Sequence, residues 1–199
     1  MRVKAFSVVL LTSFLAATAA NAAWRDQISK VDQDRLLRLN ESRAKGLDAS
    51  RSGSGGSGDR SAISATLDAK PARATAKDYV GAWRCRTIKL GGMTPYIVYG
   101  WFNCRISQKD GALFLEKISG SQRTRGYLYE DDGAFVYLGA SSVGSEPPHS
   151  YSGASAGAGA PTTPDDQIGV LTMIGKGHAR LELPFPAQES VFDVLELKK

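Results

Sequence analysis

Gly81-Ala82-Trp83-Arg84-Cys85-Arg86-Thr87-Ile88-Lys89-Leu90, followed after Gly91-Gly92-Met93-Thr94-Pro95 by Tyr96-Ile97-Val98-Tyr99-Gly100-Trp101-Phe102-Asn103-Cys104-Arg105-Ile106-Ser107, decides how this chain folds. Trp83 and Cys85 alternate with Arg84 and Arg86, and Phe102, Cys104 and Ile106 alternate with Asn103 and Arg105. A period of two is the mark of a half-buried β-strand. Gly92 to Pro95 supplies turn residues between the two runs. With Cys85 opposite Cys104, Trp83 faces Ile106 and Thr87 faces Phe102. The reverse face then carries Arg84 opposite Arg105, Arg86 opposite Asn103 and Ile88 opposite Trp101. A disulfide at this spacing stabilises by about 3 kcal/mol in the chain-entropy picture.

The alternation continues to the C-terminus. Eight strands are expected, at 80–90, 96–107, 112–119, 122–130, 134–139, 167–174, 178–183 and 190–198. Short turns such as Asp110-Gly111 and Asp132-Gly133 separate them, and both are tight hairpin signals. The expected fold is mainly β: an antiparallel meander closing into a small, about eight-stranded barrel, because closure removes free strand edges. An open or two-layer sandwich is the alternative. Residues 140–166, rich in Ser, Gly, Ala and Pro, break the rhythm and are expected to be a disordered loop.

Upstream, the chain changes character. Arg2 and Lys4 precede an apolar run, and Ala20-Asn21-Ala22 offers a small-x-small cleavage site, with the cut between Ala22 and Ala23. Residues 1–22 therefore read as an export signal, leaving no stable membrane anchor. Residues 23–48 read as one helix with Ile28, Val31, Leu36 and Leu39 near one face. Residues 49–60 read as a flexible Gly/Ser linker. Residues 61–78 read as a short helix, with Ile63 and Leu67 four apart, and a connection; residues 79–199 form the barrel domain. An exported chain meets an oxidising compartment, where paired thiols persist as disulfides. The expected location is periplasmic or secreted.

Net charge is +5, two of those charges lying in the signal, and the region from Tyr79 onward carries as many acidic as basic residues. Nothing in that balance calls for nucleic acid. Two histidines, His149 and His178, and two paired cysteines leave no metal-ligand spacing, and no cofactor motif is present. Ser42-Arg43-Ala44-Lys45 has S-x-x-K spacing without its partner motifs and reads as chance. Asp131-Asp132 and Asp165-Asp166 read as solvated turns. No catalytic residue is assigned. The candidate ligand-binding residues are Arg84, Arg86, Trp101 and Arg105 on the first hairpin, and Arg123, Arg125, Tyr127 and Tyr129 on the fourth strand. Arginine beside aromatic rings suits anions or planar groups. The competing reading is a solvated strand face balanced by Glu116, Glu130 and Glu182.

The runs Tyr79–Thr87, Tyr99–Ile106, Gly120–Tyr129 and Ala179–Pro186 resemble a family of exported proteobacterial proteins described only as a domain of unknown function (DUF 4893). That resemblance implies no activity. Gly81-Ala82-Trp83 is also similar to the G-x-W of lipocalin-like barrels, which implies that Trp83 plugs one barrel end. The small periplasmic metalloprotease inhibitors, with a compact barrel, a G-x-W start and one disulfide, are similar in the same way. The expectation is a non-catalytic binding module for a small or anionic ligand in the cell envelope. The alternative is an envelope protein-interaction factor such as a protease inhibitor.

Overall fold

Among the described residues, alternation plus tight turns produces nine strands in one antiparallel sheet. A computed structural model describes residues 24–144, 146–153 and 163–199. The strands are β1 (Gly81–Leu90), β2 (Tyr96–Val98), β3 (Phe102–Lys109), β4 (Ala112–Lys117), β5 (Gln122–Asp131), β6 (Ala134–Val143), β7 (Asp166–Gly175), β8 (His178–Pro184) and β9 (Phe192–Lys198). Consecutive strands from β3 to β9 pair antiparallel, β1 pairs with β3, and β1 also pairs with β9, so eight strands close a barrel. Asp110-Gly111 and Asp132-Gly133 take positive φ at all four residues, the conformation that two-residue hairpin turns demand. The proposed export signal and its cleavage pair Ala22–Ala23 lie outside the described residues. So do Ser145 and 154–162 of the loop expected to be disordered.

The disulfide joins Cys85 and Cys104, with Cα atoms 5.8 Å apart. The register differs from the expected one by two residues. Cys85 lies opposite Phe102, Trp83 opposite Cys104 and Arg84 opposite Asn103, so the sulfurs meet diagonally. The reason is an interruption at Tyr99–Trp101: the run expected to be one strand splits into β2 and β3, which take separate registers on β1. A two-residue slip leaves every side chain on its own face, so the expected face assignment survives the shift.

Inward side chains build the core. Trp83, Cys85, Cys104, Ile106, Leu113, Leu115, Leu128, Phe135, Leu171, Leu181 and Leu197 are all buried in one cluster. Tyr79 and Trp83 lie at one barrel end. The Trp83 indole N–H donates to the Tyr79 carbonyl at 2.7 Å, and the Tyr79 hydroxyl accepts from the Met173 N–H at 2.8 Å. Ala72, Ala74 and Ala76 pack against the same end. A short helix there, α4 (Ala76–Tyr79), starts with a Thr75/Asp78 capping box.

The N-terminal segment wraps the outer wall. It forms two helices rather than one, α1 (Lys30–Leu37) and α2 (Leu39–Ser50), with a break at Arg38. Bending is what a helical strap needs to follow a barrel: Ile28 and Leu36 join Trp24, Val136, Leu138 and Ile168, whereas Leu39 and Leu47 join Ile88, Leu90, Phe192 and Val194. Val31, expected on the apolar face, is exposed. Helix α3 (Ser57–Leu67) begins inside the stretch expected to be linker, and Gly53 and Gly55 lie so close to the Tyr96 ring that a Cβ would clash. Ile63 and Leu67 are buried against β1 and β9. Buried Arg180 on β8 donates to the carbonyls of Thr66, Leu67 and Ala69 at 3.0, 3.2 and 2.7 Å, satisfying the end of α3. Ser42 is buried too, donating to the Val191 carbonyl at 2.7 Å and accepting from the Phe185 N–H at 3.0 Å.

Candidate functional site

Strand parity carries the inward face past the apolar core to the opposite barrel end, where its chemistry changes. Thr87 and Lys89 on β1, Lys117 on β4, Gln122 and Thr124 on β5, Ser141 on β6, Gln167 on β7 and Asp193 on β9 surround a cavity of about 120 Å³. Leu183 and Leu195 line it where it meets the core. The loop between β8 and β9 (Pro186 to Glu189) and Pro164–Asp165 complete the rim.

Inside this mouth, Tyr137 is fully buried and burial pushes its phenol above the usual range. Its hydroxyl sits 2.6 Å from Thr124 Oγ1, which also bonds Gln167. Room for the ring comes from missing side chains: a Cβ on Gly126 or Gly139 would strike the Tyr137 ring, and the two glycines are cross-strand partners. A glycine inside a strand often marks such close approach.

The mouth holds two charged groups that burial disfavours. Asp193 is raised to about 6 by burial, against the opposing pull of Lys89, whose Nζ lies 3.6 Å away and also bonds Glu189 at 2.7 Å. Lys117 is lowered to about 8 by burial and then by the charge of Arg123. Its side chain reaches the Gln122 carbonyl and lies 4.2 Å from the centre of the Phe102 ring. Gly120 crosses directly over it, where a Cβ would press on Lys117 Nζ and Phe102. Among the described residues no carboxylate pairs with Lys117. An unneutralised buried charge is costly.

The residues singled out from the sequence divide into two groups on the outer wall, with Arg123 at the rim. Arg84 is exposed and donates to the Trp101 carbonyl at 3.2 Å. Arg86 stacks 4.6 Å from the Trp101 ring and pairs with buried Glu196, which also takes His178 at 2.8 Å and Lys198 at 3.1 Å. Arg105 is exposed, opposite Glu116. Arg123 donates to the Ile118 and Gly120 carbonyls and lines the mouth. Arg125, Tyr127 and Tyr129 come together around a separate groove of about 110 Å³, with Phe114, His149 and Tyr151.

Several charges expected in solvent have structural work instead. Glu182 is buried, held by Arg180 at 2.8 Å and Arg43 at 3.2 Å. Asp166 is buried and accepts from the N–H groups of Ser152 and Thr163 at 2.9 and 3.1 Å. Tyr151 donates to buried Asp32 at 2.7 Å. These bonds anchor the described part of the β6–β7 connection to the barrel, and β6 itself runs to Val143, four residues into the expected loop.

Lys117 and Lys89 were missed in the sequence because a lysine at a strand end looks like a solvated residue. Their parity with Leu115 and Thr87 is the signal that could have found them. Among the described residues no three His, Cys, Asp or Glu side chains converge as a metal site requires, and no helix there is long and apolar enough to cross a membrane. No curated protein matches the chain. Residues 24–197 match the family described as domain of unknown function DUF4893, and the chain belongs to that family.

Proposed function

We propose that this protein is a non-catalytic binding module of the cell envelope that takes a small anionic group into the open mouth of its barrel. The observation that carries the reading is Lys117: a cation in the wall of a cavity, 7% exposed, with no carboxylate partner among the described residues. A protein that gained only stability from this position would hold an apolar side chain there. Groups perturbed by burial inside a concave site are the usual signature of a working site. An incoming carboxylate or phosphate supplies the missing counter-charge, and the side chains of Gln122, Thr124 and Gln167 offer neutral hydrogen bonds around it.

Size narrows the ligand. A cavity of about 120 Å³ is below the roughly 300 Å³ of sites that enclose drug-sized molecules. The mouth suits a small anion, or the anionic head of a larger molecule whose body stays outside. What supports an envelope location is the Cys85–Cys104 disulfide, which oxidising compartments sustain.

The test is a titration with inorganic phosphate and with acetate, followed by amide and side-chain chemical shifts. Saturable shifts at Gln122, Thr124 and Gln167 that vanish in Lys117→Met, a variant whose thermal midpoint is not lowered, are expected. Shifts that persist in Lys117→Met, or none with either anion, overturn the reading.

A further inference from the structure

The groove on the outer wall lies on the reverse face of β4 and β5 from the mouth, so it is a separate surface. Its rings are fixed. Phe114 and Tyr127 meet edge to face with centroids 4.8 Å apart, and Tyr127 and Tyr129 lie 6.3 Å apart. All three tyrosine hydroxyls around it are already engaged: Tyr127 donates to Asp110 at 2.7 Å, Tyr129 to Gln27 at 2.9 Å and Tyr151 to Asp32 at 2.7 Å. With the hydroxyls turned to protein partners, the groove offers apolar ring surface.

Arg125 lines the groove, with Lys109 beside its Phe114 ring and the Asp110 carboxylate at the Tyr127 hydroxyl. Arg125 lies 5.5 Å and Lys109 4.4 Å from the centre of the Phe114 ring. Glu116 is opposite Arg125 in the ladder, yet among the described residues no carboxylate pairs with either cation. A guanidinium without an acid partner, set at the edge of a wall of rings, is complementary to a carboxylate attached to a flat ring.

We propose that this groove binds a small aromatic carboxylate, its ring against Tyr127 and Tyr129 and its carboxylate on Arg125. The size agrees: a cavity of about 150 Å³ accepts benzene, and this groove of about 110 Å³ is open on one side. A single ring is the occupant this groove is proposed to take.

The experiment uses the full mature chain and three probes: benzoate, cyclohexanecarboxylate and benzyl alcohol. Binding is followed by the chemical shifts of the Arg125 side chain and the tyrosine rings. Benzoate is expected to saturate these shifts. Cyclohexanecarboxylate, which keeps the charge and loses the flat ring, and benzyl alcohol, which keeps the ring and loses the charge, should each bind about tenfold more weakly. Arg125→Gln should abolish the benzoate shifts. Arg125→Lys, which keeps charge but loses the planar fork, should weaken them, and Lys117→Met at the mouth should leave them unchanged. Benzoate binding that survives Arg125→Gln, equal binding of either control probe, or no saturable shift with benzoate overturns the proposal. None of these outcomes bears on the mouth.

Discussion

The two ends of this barrel are built by the same strands and differ in what their inward side chains do. At the Trp83 end, β1 contributes Trp83 and Cys85, and the chain from Ala72 to Tyr79 folds over them. At the other end the same strand contributes Thr87 and Lys89, and a cavity remains. One end is filled by side chains and bonded internally. The other keeps charges that burial disfavours. A filled end stabilises the fold, and an end that retains buried charge without a full set of partners has a reason other than stability.

The sharpest way to break this contrast is substitution along β1. Trp83→Ala removes a side chain only 2% exposed and the bond to the Tyr79 carbonyl, and should cost about 3–5 kcal/mol of unfolding free energy. Thr87→Val, four residues along at the mouth, should change stability by less than about 1 kcal/mol. Urea denaturation measures both; equal losses would mean that the two ends are not energetically distinct. Next in size is the disulfide. Cys85→Ala with Cys104→Ala should lose about 3 kcal/mol, since the bridge spans 19 residues of otherwise free chain in the unfolded state.

At the mouth the expected changes run the other way. Asp193 has a folded pKa of about 6, above the unfolded carboxyl near 3.8. Between those values the folded protein holds a proton that the unfolded chain has lost, so stability falls as pH rises from about 4 to about 6, by about 3 kcal/mol. Asp193→Asn should flatten that slope. Lys117, with a folded pKa of about 8, releases its proton before the unfolded chain does. Stability therefore rises between about pH 8 and 10.5. Lys117→Met should remove that rise and gain about 2–3 kcal/mol at pH 7. Denaturation across pH 4–10 checks both. A Lys117→Met protein less stable than its parent at pH 7 would make the lysine a structural tie to the Gln122 carbonyl.

How much of this was legible in the sequence follows from periodicity. The alternation of Trp83, Arg84, Cys85 and Arg86 marks face and strand, and the face assignment tolerated a register slip of two because side chains repeat every two residues. The slip itself was not legible, since nothing in Tyr99-Gly100-Trp101 announces where pairing pauses. The mouth was hidden for a different reason. Lys89 and Lys117 are charged residues near strand ends, and their charge masked the parity with Thr87 and Leu115 that puts them on the inward side of the closed sheet. The break in the N-terminal helix at Arg38 likewise depends on the curvature of a wall that a local pattern does not contain. Arg125, Tyr127 and Tyr129 were legible as a set, because strand parity alone puts them on one face.

The smallest expected effect separates the arginines from one another. Arg84 and Arg105 share composition and strand context with Arg125, and all three face outward from the barrel. Arg84 is exposed and donates a single bond to a backbone carbonyl; Arg105 is exposed opposite Glu116. Neither lines the mouth or the groove. Surface side chains of this kind contribute little to stability. Arg84→Gln and Arg105→Gln should therefore leave the thermal midpoint within error, and should leave phosphate binding at the mouth and benzoate binding in the groove unchanged. If either substitution weakens anion binding as much as Arg125→Gln or Lys117→Met does, the response is to net positive charge spread over the wall. The distinction between an interior site, a groove and a solvated face would then have no functional content.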